Sequence, residues 1–125
     1  MIPTAINLHQ KSRELELGYP DGSYRLPCEY LRVYSPSAEV KGHGPGQEVL
    51  QVGKIKVGIT DIKPVGNYAL QLIFDDGHDS GIFSWNYLRE LCEHQAEYWQ
   101  NYLDRLSAAG AGRDPEVQVL HFDPS

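Results

Sequence analysis

The sequence predicts an α+β fold, a small antiparallel-rich β-sheet packed against a C-terminal helical region. Three stretches predict it. From Tyr68 to Phe74 the residues alternate, with Tyr68, Leu70, Leu72 and Phe74 on one face and Ala69, Gln71 and Ile73 on the other. Asp76-Gly77 then makes a turn of the hairpin kind, and Gly81-Ile82-Phe83 returns as the partner strand. Downstream, Trp85, Leu88 and Leu91, followed by Trp99, Tyr102, Leu103 and Leu106, recur at helical spacing and would lie against the sheet.

Earlier elements follow from the same patterns. Ala5 to His9 and Arg13 to Leu17 alternate as strands, Pro20-Asp21-Gly22 marks a turn, and Ser23 to Leu26 pairs back as a hairpin arm. Leu15, Leu17 and Leu26 give this hairpin its apolar side. Pro27 stops the strand and begins a helical turn over Cys28 to Arg32, because its missing N–H costs nothing at a helix start. From Tyr34 to Gln47 the residues become Ser-, Pro- and Gly-rich, and a loop is expected; loops of that length are commonly functional. Val49 to Val52 suggests a short turn or helix, Val57 to Ile62 a strand, and Pro64 to Asn67 a turn into the central strand. Ser84 is placed to N-cap the helix that starts at Trp85. Glu93 to Leu106 continues as a second helix or as the bent remainder of one long helix, ending at Gly110 and Gly112. Residues 1–108 are thus expected to form one domain. Residues 109–125 are expected to form an extended or weakly ordered tail, with Glu116 to Phe122 able to make a last strand.

A chain of 125 residues holds one core. A net charge of −6 with dispersed Lys and Arg argues against nucleic acid as a partner, since phosphate binding draws on clustered cations. No apolar run is long enough to span a bilayer and no basic-then-apolar leader opens the chain, so a membrane is not expected as a partner. Cys28 and Cys92 are far apart and outside any CxxC pair, which points to reduced thiols and a cytoplasmic location.

The most chemically loaded cluster is the turn Asp75-Asp76-Gly77-His78-Asp79. Flanking carboxylates make His78 a candidate proton shuttle or metal ligand, although a polar turn also explains these residue types without any function. With His43 and Asp76 or Asp79, His78 gives an N/O donor set suited to iron or another divalent metal. The loop Gly42-His43-Gly44-Pro45-Gly46-Gln47 lacks the Lys-Ser or Lys-Thr of a phosphate loop, and Pro45 removes a donor, so partner docking suits it better. His94 and Tyr98, one helical turn apart, are expected to face solvent, and Cys92 to be a small core residue.

Two segments carry a family resemblance: LRVYSPSAEVKGHGPGQ (Leu31 to Gln47) and GNYALQLIFDDGHDSGIFSWNYL (Gly66 to Leu88). In order and separation they resemble the gamma-butyrobetaine hydroxylase-like N-terminal domain, especially its small stand-alone bacterial members, over roughly residues 5 to 107. In the larger carnitine-pathway dioxygenases this domain precedes the catalytic one and binds a structural zinc through three Cys, in a pattern L-R-x-x-C-x-C-x-x-C, and a His. Laid onto this chain, those positions fall on Ser35, Ser37, Val40 and His78, so three of the four ligands are replaced and no zinc is expected. His78 would instead tie its turn to the 35–47 loop by hydrogen bonds. No H-x-D followed by a distant His is present, so oxygenase activity does not transfer. A similar segment is appended to some Mrp-type ATPases that carry iron–sulfur clusters, which implies an accessory role in iron–sulfur or oxygenase-related metabolism. The resulting expectation is a non-catalytic module that binds a protein partner through Ser35, Ser37, His43, Gly44, Gly46 and His78, with Trp85 and Tyr87 at the edge. The alternative is a metal protein built on His78, His43, Asp76 and Asp79.

Overall fold

The computed structural model describes residues 1–116 and shows an α+β domain with two three-stranded antiparallel sheets in place of the single one expected. The first sheet has the order β1 (Ala5–His9), β2 (Glu14–Tyr19), β3 (Gly22–Pro27). Tyr19 pairs with Gly22, leaving Pro20-Asp21 as a two-residue loop, and Gly22 takes φ 141, which a side chain rarely adopts. Along β2 the alternation reads directly as burial, with Leu15, Leu17 and Tyr19 inside. Helix α1 (Cys28–Val33) follows Pro27, and a single helical turn, α2 (Ala38–Lys41), interrupts the expected loop. The glycines that discourage regular structure begin only at Gly42, which ends α2 at φ 74.

The second sheet has the order β4 (Ile59–Val65), β5 (Ala69–Phe74), β6 (Gly81–Ser84). Pro64 and Val65, expected in a turn, belong to β4, which as an edge strand tolerates proline's missing donor. Tyr68 does not share the buried face of Leu70, Leu72 and Phe74; it lies in the turn after Gly66 (φ 54) and is 59% exposed. Nor is Asp76-Gly77 a two-residue hairpin. The paired register ends at Leu72 and Gly81, and the chain between them makes a wider connection in which the Phe74 N–H donates to the His78 carbonyl (2.9 Å). Val49 to Val52 forms no helix or strand.

Helix α3 (Trp85–Glu93) starts as expected, with the Ser84 hydroxyl accepting from the Tyr87 N–H at 3.1 Å. His94 leaves helical geometry and separates α3 from α4 (Gln95–Ala108), so the region is two helices. The main core gathers residues from both sheets, α1 and α3, among them Leu17, Leu31, Leu72, Phe83 and Leu91; a second cluster joins Val33, Tyr102 and Leu106. After Gly110 the chain runs back beside residues 53–55. Gly53 and Ile55 N–H groups donate to the Gly112 and Arg113 carbonyls (both 3.0 Å), and Arg113 grips the buried Glu29 with two bonds of 2.7 and 2.8 Å. The strand expected from Glu116 to Phe122 lies, beyond its first residue, outside the described residues.

Leu72 is fully buried at the centre of the second sheet. Leu72→Ala is predicted to cost about 2–5 kcal/mol of stability, read from the urea midpoint at unchanged slope. A loss below about 1 kcal/mol would mean that this site collapses around the missing atoms.

Candidate functional site

The connection between β5 and β6 meets the one between α1 and α2, and His78 is the meeting point. Its side chain is 2% exposed. Nε2 lies 2.8 Å from the Ser35 hydroxyl and 3.3 Å from that of Ser37, and Nδ1 lies 3.2 Å from a Glu39 carboxylate oxygen. A carboxylate only accepts, so the neutral tautomer that satisfies these contacts carries its proton on Nδ1 and accepts the serine hydroxyls at Nε2. Glu39 is held in turn by the Ser80 hydroxyl at 2.8 Å, which lowers its pKa, as does His78 itself. Burial pushes the His78 pKa below its ordinary value and the Arg32 charge adds to this, while Glu39 and Asp76 pull the other way. The imidazole is therefore poised neutral.

Asp76 fixes the turn from its other side. Its carboxylate accepts the His78 N–H (3.2 Å) and pairs with Arg32 (2.9 Å) and Lys54 (2.7 Å). Burial by itself would raise the Asp76 pKa, but the Lys54 hydrogen bond, the His78 N–H and Arg32 outweigh it and hold the group at about 2.

This arrangement does not fit zinc. The four positions implied by the resemblance hold two hydroxyls, one imidazole and the apolar side chain of Val40, and the free lone pair of the imidazole is already taken by serine. Nor do His43, Asp76 and Asp79 gather with His78. Among the described residues no three His, Cys, Asp or Glu side chains are placed to hold a metal ion. The order Ser35–His78–Glu39 has the connectivity of a nucleophilic triad, yet Ser35 is fully buried, and a Cβ built on Gly81 would stand only 2.6 Å from its hydroxyl. No acyl carbon has room to approach, so the hydroxyl ties loops together and does not attack. Cys28 and Cys92 are buried free thiols, both pushed up to about 11 by burial, which makes them poor nucleophiles.

Beside this network opens a groove of about 620 Å³. One wall is Lys41 at the end of α2 and the loop that follows, with His43, Gly44 and Val49; the other is aromatic, with Tyr34, Tyr87 and Tyr98. Tyr34 stacks on Tyr98 at 5.4 Å, and Tyr98 on His94 at 5.3 Å. Tyr98, expected in solvent, is thus half-buried, and its hydroxyl donates to Glu90 at 2.6 Å. The Tyr87 hydroxyl donates to the Tyr34 carbonyl at 2.6 Å, fastening α3 to the end of α1.

Of the residues singled out from sequence, His43, Gly44 and Tyr87 line the groove, and Ser35, which borders it but is fully buried, forms the network behind it with Ser37 and His78. Gly46 (φ 80) shapes the loop without lining the groove. Trp85 is apart from both, its indole N–H donating to the Asn67 carbonyl at 2.7 Å. Asp79 is exposed and offers its backbone carbonyl to Gln71. Sequence reasoning missed Tyr34, Tyr98, Lys41 and Arg105 as lining residues. Tyr98 and Arg105 are seven apart on α4 and share a face, which was the available signal.

A sequence model described as gamma-butyrobetaine hydroxylase-like, N-terminal, matches residues 6–89. Two NMR solution structures are similar to the chain, one at 55% identity and TM-score 0.81, covering 91% of this chain and 90% of that one. The other is 52% identical at TM-score 0.77, covering 91% and 86%. A crystal structure from Acidithiobacillus ferrooxidans, described as a protein of unknown function of the DUF971 family, is 40% identical at TM-score 0.55, covering 71% of this chain and 90% of that one. A search of curated proteins found no match.

Because the His78 pKa is depressed in the fold, the unfolded state binds more protons at this group at mildly acid pH, and the stability it contributes is lost as pH drops below the ordinary 6.5. Unfolding midpoints are predicted to fall between pH 8 and pH 5.5, and to fall less in His78→Gln. Equal falls in the two proteins would show that no buried neutral imidazole contributes. The corresponding Asp76 contribution lies lower, being present above the ordinary 3.8 and lost as pH approaches about 2.

Proposed function

Since the chain belongs to the gamma-butyrobetaine hydroxylase-like N-terminal domain family, we propose that it is a non-catalytic accessory module that docks a segment of a partner protein. The observation that carries this reading is the groove between the glycine-rich loop and the wall of Tyr34, Tyr87 and Tyr98. Tyrosines supply contact area at small entropic cost, which is why aromatic residues concentrate in protein interfaces. Val49, which lines the groove, is an apolar side chain left 52% exposed. Iron–sulfur or oxygenase-related metabolism is the setting the family resemblance suggests.

Metal binding at His78 has less support, because both ring nitrogens already have partners within the chain. Protein purified without a histidine tag is predicted to hold no stoichiometric iron or zinc by plasma mass spectrometry. A stoichiometric metal that His78→Ala removes would replace the docking reading with the metal reading.

Two glycines separate loop shape from loop composition. At Gly42 a Cβ would collide with the Gln47 carbonyl, and φ is 74, so Gly42→Ala must deform the loop. At Gly44 nothing lies within 4 Å of a Cβ. Quantitative affinity capture is predicted to lose the partners of the parent chain with Gly42→Ala and to keep them with Gly44→Ala, both variants remaining folded by circular dichroism. Undiminished capture by Gly42→Ala would remove the loop wall from the interface.

A further inference from the structure

The groove carries two cations that make no ion pair among the described residues. Lys41 stands over the Tyr87 ring, its Nζ 4.6 Å from the centroid, and the Arg105 guanidinium lies 5.7 Å from the Tyr34 ring. Both side chains are exposed and both line the groove. Neither has a carboxylate at ion-pair distance among the described residues, whereas Arg32, Lys54, Arg89 and Arg113 each have one. The carboxylates that also line the groove are turned to donors of this chain. Glu90 accepts the Tyr98 hydroxyl at 2.6 Å, and Glu48 accepts the Gly46 N–H at 3.4 Å. In a chain of net charge −6, two cations held over aromatic rings in one groove, with no carboxylate of their own, suit an incoming anion.

We infer that the segment taken by this groove is acidic, with an Asp or Glu carboxylate received by Lys41 and Arg105 and its apolar neighbours laid on Tyr34, Tyr87 and Tyr98. This rests on the docking reading above and adds the chemistry of the partner. A guanidinium matches a carboxylate in a planar fork and an ammonium adds a mobile point charge, so the pair accepts carboxylates in more than one register. An exposed contact of this kind sets selectivity and on-rate more than raw affinity, and salt screens it.

The test is an NMR titration of the nitrogen-15-labelled chain with three degenerate peptide pools, one with fixed Asp or Glu, one neutral and one with fixed Lys or Arg. N-acetylglutamate serves as a free carboxylate. The acidic pool is expected to shift the amides of Lys41 to Val49, Tyr87, Tyr98 and Arg105. Binding should weaken as NaCl rises from about 50 to about 300 mM. The double variant Lys41→Glu/Arg105→Glu should bind the acidic pool roughly tenfold more weakly while its other amides stay in place. Undiminished binding by that variant, or shifts from the acidic pool only outside the groove, would overturn the inference. If the neutral or basic pool shifts the groove as strongly, the acidic partner falls and docking stands. If no pool shifts it, both fall. Equal shifts from N-acetylglutamate alone would overturn the peptide occupant in favour of a small carboxylate.

Discussion

The imidazole of His78 sits out of water in a turn between two strands and is held by two serines from the connection between α1 and α2 and by Glu39 of α2. That contact is what the candidate surface depends on. A buried polar group left without partners costs about 1–3 kcal/mol, so a structure that buries this ring must keep Ser35, Ser37 and Glu39 against it. The stretch between α1 and α2, with no strand pairing of its own, is thereby pinned to the second sheet. Asp76 reinforces the junction by drawing Arg32 of α1 and Lys54 of the following loop to the same turn. A cluster that reads as reactive in the sequence is a structural clamp.

The clamp also positions one wall of the groove. Loop 42–49 leaves α2 just after Glu39 and Val40 and returns when the Val49 N–H donates to the Val40 carbonyl at 2.8 Å. The opposite wall is set independently, by the stack of Tyr34, Tyr98 and His94 and by the Tyr87 hydroxyl on the Tyr34 carbonyl. Aromatic pairs of this kind add about 0.5–1.5 kcal/mol each beyond the area they bury. They join the end of α1 to both C-terminal helices, so a fixed aromatic face stands opposite a glycine-rich loop. A rigid surface facing a deformable one is an arrangement suited to recognition, because the rigid side limits the entropy lost on binding.

Much of the fold was legible because local period and burial agree. Leu15 and Leu17, Leu70 and Leu72, and Leu88 and Leu91 all occupy the core faces that their spacing indicates. The departures have local causes. Tyr68 shares the parity of Leu70, yet the turn at Gly66 turns it out to solvent. The Asp76-Gly77 pair carries a hairpin signature, but the Asp76 side chain accepts the His78 N–H and the turn widens to admit the histidine ring. Pro64 reads as a strand terminator until the sheet order places it on an edge.

The sequence by itself determined the α+β class, most of the strand and helix faces, and the tie between His78 and the 35–47 loop. These follow from periodicity and residue chemistry, or from motifs compared in order along one chain. Only the tertiary structure decided that Asp76 pairs with both Arg32 and Lys54, and that Tyr34, Tyr87, Tyr98, Lys41 and Arg105 share one groove. Their positions come from four separate segments, α1's end, α2, α3 and α4. Which side chains meet across such distances is settled by how sheets and helices pack, and no spacing along the chain encodes that.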